Sequence, residues 1–299
     1  MCGIAGLFIK DKTLEPQLGA LLAKMTSTLC SRGPDSAGFA IYSAGEKGKS
    51  KLTLSGPSES YDIMAAARKL TVAIAPDGLI TKRYSHVVVT LDAGDVARAE
   101  AWLAANLPEV SIMSEGERLE IYKEVGYPDD VAKEFDIAGM GGTHGISHTR
   151  MATESAVTTN GAHPFSTGRD QCLVHNGSLS NHASLRRELR RDGIKIKTEN
   201  DTEVAAGYLT RQMNNGQTLG EALKASLDDL DGFFTFVVGT ETGFGVLRDP
   251  IACKPAVMAE TDQYVAFASE YKSLTCLPGI KTARVWEPKP ATVYFWEHN

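Results

Sequence analysis

The chain opens Met1-Cys2-Gly3-Ile4-Ala5-Gly6, a cysteine followed at once by small and apolar residues. That run suits a buried first strand, expected over Ile4 to Lys10, which would pin the N-terminus inside the molecule. Initiator methionine is normally trimmed when the next side chain is small. Cysteine qualifies, so the mature chain is expected to begin at Cys2. One residue then carries a thiol and a free α-amine, whose unperturbed pKa is roughly 7.7–8.0. A neutral amine can take the thiol proton, directly or through one water, and so activate a weak nucleophile. An ordinary buried cysteine near a chain end is the alternative reading. Retention of Met1 would turn the proposed base into an amide.

At 299 residues the chain can bury a large core as one big domain or two small ones. Its net charge of -6 argues against nucleic acid as the main partner. No stretch approaches the ~20 apolar residues of a membrane span, and the N-terminus lacks the basic and apolar regions of a secretory signal. A cytoplasmic location is therefore expected. Of the five cysteines, Cys2, Cys30, Cys172, Cys253 and Cys276, none forms a CxxC pair. The odd number speaks against a disulfide framework or a zinc ribbon. Cys30, Cys172 and Cys253 read as buried hydrophobes. The seven histidines show no metal-ligand spacing, so no metal site is expected.

Apolar spacing predicts a helix over Leu14 to Leu29, broken by Arg32-Gly33-Pro34-Asp35-Ser36, and a strand over Gly38 to Tyr42. Residues from about 47 to 140 read as an insertion with its own pattern. Within it Tyr61 to Leu70 and Ala93 to Asn106 predict helices, and His86 to Leu91 and Val110 to Met113 predict strands, which fits a small βαβ unit. Asp129 to Phe135 predicts a further helix. The second half predicts strands over Gly145 to Thr149, Gln171 to His175, Gly232 to Gly239, Gly245 to Arg248, Ala256 to Ala259, Tyr264 to Ala268 and Ala291 to Trp296. Helices are expected over Asn181 to Asp192, Asp201 to Asn214 and Leu219 to Leu227. Many strands with several packed helices indicate an α+β layered fold.

A thiolate attacking an amide needs donors for the oxyanion and groups that hold the substrate. His175-Asn176-Gly177-Ser178 follows a predicted strand, where the Asn176 amide and the Gly177 N–H can serve as oxyanion donors. An Asn-Gly pair is also ordinary turn chemistry. Arg150, in His148-Thr149-Arg150, can grip a carboxylate through a bidentate pair, or make a surface ion pair. Asp201 opens a predicted helix, where its default role is an N-cap. It can also receive an α-ammonium, and together Arg150 and Asp201 suit a zwitterion. His163 precedes Pro164 in a loop and reads as structural. It receives no acid–base role, because Cys2 would carry its own base.

This set resembles the class II glutamine amidotransferases, which are N-terminal nucleophile hydrolases. The matching pieces are Cys2-Gly3-Ile4, Arg32 to Ser36, His148-Thr149-Arg150, Asn160 to Phe165, His175-Asn176-Gly177 and Asp201-Thr202-Glu203. Arg248-Asp249-Pro250 and Ala268-Ser269-Glu270 match late family motifs, and all run in family order. The resemblance implies a four-layer αββα sandwich over residues 1–299 with the inserted α/β segment. It implies hydrolysis of L-glutamine, with Cys2 as nucleophile and Asn176 and Gly177 as oxyanion donors. Arg150 would bind the α-carboxylate and Asp201 the α-amine, and Arg32 would position the terminus. Thr153, Glu154 and His163 complete the implied substrate-binding set. Met151 and Glu154 stand where sugar-phosphate members carry Trp and His, which argues against that branch.

No acceptor domain follows in this sequence, so the acceptor chemistry is expected on another polypeptide. The run from Arg150 to Asn181 is similar to the amidotransferase subunit of glutamate-synthase-like complexes, including the N-methylglutamate synthase type. That likeness implies no cofactor on this chain. It implies FMN and iron–sulfur clusters on a flavin-containing partner, and a small β-helical subunit. Two other functions fit the residues: a non-catalytic binding subunit of such a complex, and an N-terminal nucleophile hydrolase acting on another amide.

Overall fold

The computed structural model describes residues 2–151 and 157–298. From the N-terminus, β1 (Gly3–Ile9), α1 (Leu18–Ser27) and β2 (Ser36–Tyr42) come first. They are followed by β3 (Lys49–Ser55), α2 (Ile63–Ile74), β4 (Leu79–Arg83), β5 (His86–Asp92), α3 (Val96–Asn106) and β6 (Ser111–Gly116). Then come β7 (Leu119–Val125), α4 (Pro128–Glu134), β8 (His144–Arg150), β9 (Phe165–Gly168) and β10 (Gln171–Leu179). The remainder comprises α5 (His182–Arg191), α6 (Asp201–Asn214), α7 (Leu219–Asp229), β11 (Gly232–Gly239), β12 (Gly243–Arg248), β13 (Val257–Glu260), β14 (Tyr264–Ala268), β15 (Arg284–Trp286) and β16 (Val293–Glu297).

Strand β1 sits in the middle of a seven-stranded sheet of order β15-β13-β14-β1-β8-β2-β7, antiparallel to both β14 and β8. Alternate side chains of a strand point to opposite faces. Ile4 and Phe8 meet Val174, Val237, Phe244 and Val246 of the second sheet, ordered β16-β12-β11-β10-β9. Ala5, Leu7 and Ile9 point the other way, onto Leu18, Leu22 and Met25 of α1. Both faces are covered, so the strand reads as one continuous apolar run. The outer face of the second sheet packs Leu173, Phe234 and Phe236 on Leu189, Val204, Leu209 and Leu223 of α5, α6 and α7. The layers are therefore helix, sheet, sheet, helix, the αββα sandwich. Truncating a core side chain such as Leu22 to alanine costs about 2–5 kcal/mol.

Three expectations change. The first helix is shorter than Leu14 to Leu29: Lys12–Gln17 forms a 3-10 turn containing Pro16, and α1 starts at Leu18. Proline has no N–H to give a helix. The inserted sheet is not a simple βαβ unit. Its order is β4-β5-β3-β6, all neighbours antiparallel. Crossovers β3-α2-β4 and β5-α3-β6 each straddle a strand of the other, the interleaved β-α-β-β-α-β arrangement. Its core joins Leu52, Leu54, Val87 and Val89 to Leu70, Ala99 and Leu103. This sheet ends at Gly116, whereas β7 pairs with β2 at the edge of the large sheet and Val131 of α4 joins the core around α1. The third change is Cys253, which is exposed while Cys30 and Cys172 are buried. Its loop turns inward by its backbone, because the Arg248 guanidinium takes the carbonyls of Ala252 and Lys254.

Candidate active site

Cys2 immediately precedes β1 and Arg150 ends β8. Asn176 and Gly177 lie near the end of β10, and Asp201 begins α6. Antiparallel pairing brings the start of β1 beside the end of β8, with Gly3 opposite Thr149. The result is one cleft of about 820 Å3 lined by Cys2, Arg32, Arg150, His163, Asn176, Gly177 and Asp201, among others. Thr153 and Glu154 lie outside the described residues.

The carboxamide of Asn176 is oriented from both ends. Its Nδ2 lies 3.3 Å from the Cys2 carbonyl oxygen and 3.4 Å from Ser269 Oγ. A carbonyl oxygen only accepts, so the NH2 end must face Cys2. Its Oδ1 then receives the His148 Nε2–H at 3.2 Å. Burial pushes His148 down to about 3, although the Asn176 bond raises it, so the imidazole is neutral and its Nε2 carries the proton. Ser269 Oγ also accepts the Ile4 N–H at 2.9 Å, and the Ser269 N–H returns a bond to the Ile4 carbonyl at 2.9 Å. The start of β1 is thus sewn to the end of β14.

Arg32 donates from Nε to the Cys2 carbonyl at 3.0 Å and pairs with Glu270 Oε1 at 2.5 Å. It therefore anchors the backbone of Cys2. Asp201 departs from its default reading. The N-cap of α6 is Asn200, whose Oδ1 accepts the Thr202 N–H at 2.9 Å. Asp201 is left to take the Leu179 N–H at 2.9 Å, and its Oδ1 lies 3.7 Å from His175 Nδ1. Burial alone raises an acid. The His175 imidazole and the Leu179 N–H outweigh it here and hold the Asp201 carboxyl down at about 2.

His163 lines the cleft without offering its Nε2, which is 2.7 Å from Thr202 Oγ1. Its ring stacks on His148 with centroids 4.0 Å apart, and burial keeps it neutral, well below its ordinary value. Thr202 Oγ1 also lies 3.2 Å from His175 Nδ1, so one hydroxyl ties the loop carrying His163 to the strand carrying Asn176. Glu203 accepts the N–H groups of Lys197 and Thr198 and shapes the turn before Asp201.

Sequence reasoning gave no role to Thr202, Ser269, Glu270 or His148, although all lie in the quoted motifs. Lys123 lay in a stretch read as free of chemistry. Its signal was period two: it follows Leu119 and Ile121 on the same face of β7, the face turned to the core between the sheets. Among the described residues no group of three or more His, Cys, Asp or Glu is arranged to hold a metal ion, and no helix is long and apolar enough to cross a membrane.

A model of a glutamine amidotransferase domain matches residues 148–276. The glutamine amidotransferase-like protein GlxB of Rhizobium meliloti (strain 1021) is 62% identical over 299 residues, 100% of this chain and 99% of that protein. The chain belongs to the glutamine amidotransferase family. A putative glutamine amidotransferase of Methanothermobacter thermautotrophicus is similar too, 34% identical over 99% of this chain and 100% of its own length. The fold of this amidotransferase is similar to that of a glutamine phosphoribosylpyrophosphate amidotransferase from B. subtilis. That structure superposes with TM-score 0.62 at 18% identity over 99% of this chain, which spans 47% of it.

Proposed function

We propose that this amidotransferase hydrolyses the side-chain amide of L-glutamine, with Cys2 as nucleophile, and passes the ammonia to a partner. The observation that carries the reading is the single cleft holding the Cys2 thiol, the Arg150 guanidinium and the Asp201 carboxylate. A free amino acid presents a carboxylate and an ammonium. Arginine matches the first in a bidentate pair, and an ionised aspartate matches the second. Once Met1 is removed, the α-amine of Cys2 takes the thiol proton and sulfur adds to the amide carbon. The Asn176 amide and the Gly177 N–H stabilise the oxyanion. The protonated amine then gives its proton to the leaving nitrogen, and ammonia departs. Water adds to the thioester, with the same amine as base, and releases glutamate.

The finer assignment is a subunit of a glutamate-synthase-like complex of the N-methylglutamate synthase type. FMN and iron–sulfur clusters would be on the flavin-containing partner, with a small β-helical subunit beside it. The likeness of residues 150–181 to such subunits supports it. The test is release of glutamate and ammonia by the chain alone and with its co-purifying flavoprotein, alongside the Cys2→Ala variant and intact mass to report Met1. Turnover by Cys2→Ala would sink the mechanism. Absence of a flavoprotein on purification from the native host would sink the assembly.

A further inference from the structure

Lys123 takes no part in the chemistry above, yet it is 3% exposed and its ammonium is committed to a single loop. Nζ donates to the carbonyls of Asn160 at 3.3 Å, Ala162 at 2.8 Å and Pro164 at 3.1 Å. That loop walls the glutamine cleft. Gly161 lies against the guanidinium of Arg150, where a Cβ would sit 3.6 Å from Nη1, and His163 stacks on the His148 ring that orients Asn176. We propose that Lys123 is the positioning residue of the site: its ammonium clamps Asn160–Pro164 to the end of the sandwich, and so holds Arg150 and Asn176 in register for substrate. The inference rests on the glutamine reading of the cleft.

The strands are built for the clamp. Lys123 pairs with Gly38 across β7 and β2. A Cβ on Gly38 would fall 2.0 Å from the His163 carbonyl oxygen, so only glycine lets the loop lie that close. Neighbouring Glu124 accepts the Thr159 hydroxyl and tethers the same loop from its other end. The Phe165 ring lies 4.5 Å from Nζ.

An ammonium has three donors, one for each carbonyl. A neutral amine has two, and turns its lone pair toward the third carbonyl oxygen. The clamp is therefore complete only while Lys123 is charged. Burial pulls the group down to about 7, Glu203 of α6 opposes this, and Lys197 of the preceding turn reinforces it. His86 of β5 and His163 of the loop also face it, and burial keeps both neutral. Loop order and glutamine affinity should then fall together on the alkaline side.

The experiment uses the full chain in a Cys2→Ala background, with Lys123 intact, as Lys123→Met and as Lys123→Arg. Hydrogen exchange of residues 157–165, corrected for intrinsic rates, is read at pH 6 and pH 8.5 without glutamine. Glutamine affinity is then measured by calorimetry at the same two pH values. The parent should lose protection and about tenfold in affinity on going to pH 8.5. Lys123→Met should match the alkaline parent at both pH values, and Lys123→Arg should stay ordered at both. Equal loop protection across the variants and pH values overturns the clamp. A loop that responds while affinity stays level overturns the positioning role. A loop that responds in a protein that binds no glutamine at either pH upholds the clamp and rejects the glutamine reading. If Lys123→Met fails to fold, the parent and Lys123→Arg comparison decides alone.

Discussion

The His148 Nε2–H donates to Asn176 Oδ1 across 3.2 Å, and this bond holds from the far side the amide whose NH2 end the Cys2 carbonyl already turns toward Cys2. Without it, the amide is held from its NH2 end alone, by the Cys2 carbonyl and Ser269 Oγ, and its aim at the forming oxyanion loosens. His148→Phe keeps a planar ring for His163 to stack on and removes the donor. Loss of one oxyanion donor costs about 10²–10³ in kcat. The expected loss here is about tenfold to a hundredfold in kcat, because Asn176 remains present but is held at one end only. KM for glutamine should change little. Steady-state kinetics of His148→Phe beside Asn176→Ala would measure both, and an unaltered kcat in His148→Phe would remove the orienting role.

A residue that is its own base should show its titration in the rate. As pH falls through the α-amine range, roughly 7.7–8.0 when unperturbed, the amine protonates and kcat/KM should decline. Asp201 adds no second limb over pH 5 to 9, because its carboxyl is held at about 2 and stays ionised throughout. Its depressed value also gives stability that is complete above the ordinary carboxylate range and is lost only as pH falls toward 2. The check is a pH profile of glutamate release for the processed chain against a form that retains Met1. Equal turnover by the two forms would rule out the terminal amine.

The layered fold was legible because burial on both faces leaves a simple signature: β1 and β14 are uninterrupted apolar runs, β11 is broken only by Thr235, and α6 spaces Val204, Ala205, Tyr208, Leu209 and Met213 as a helix does. Strands β3 and β4 were not. In β3 the polar side chains of Ser50, Thr53 and Ser55 occupy buried positions, and in β4 Leu79-Ile80-Thr81-Lys82 is partly or fully exposed, so neither strand shows an apolar run. The motifs placed Cys2, Arg150, Asn176 and Asp201, because each puts its chemistry beside a strand or helix end. Partners of those residues come from positions distant in sequence. Ser269 reaches Ile4 across 265 residues, and Lys123 reaches Ala162 across 39, and only the folded sheets bring them together.

Arg150 and Asp201 should separate on substrates that lack one charge. Truncating one partner of a buried charge pair costs about 2–5 kcal/mol, so Arg150→Met and Asp201→Asn should each raise KM for glutamine by about thirtyfold or more. Their kcat values should fall less, because these contacts exist in ground and transition states alike. Glutaramate, the same side-chain amide without the α-amine, should be penalised by Arg150→Met but hardly by Asp201→Asn. Comparing the wild type and both variants on the two substrates, six enzyme–substrate pairs, gives the coupling directly. Equal penalties on glutaramate in both variants would contradict the division of the zwitterion between them.

Gly177 gives the sharpest separation of backbone from side-chain effects. Its φ is +151°, and an added Cβ would lie 1.9 Å from the Phe233 carbonyl oxygen and 2.6 Å from His175 Nε2. Neither neighbour can yield easily, because Phe233 is in β11 and pairs with β10, while His175 belongs to the Thr202 network. Gly177→Ala must therefore part the two strands at the residue that follows Asn176, displacing both oxyanion donors. Gly193 is the control. It also has a positive φ, +83°, but a Cβ added there would meet no atom within 4 Å, so Gly193→Ala carries only the left-handed backbone cost of about 1–2 kcal/mol. In thermal unfolding, Gly177→Ala should lose clearly more stability than Gly193→Ala. Glutaminase activity should vanish in the first and persist in the second. Full activity in Gly177→Ala would mean that the Asn176–Gly177 backbone does not form the oxyanion site.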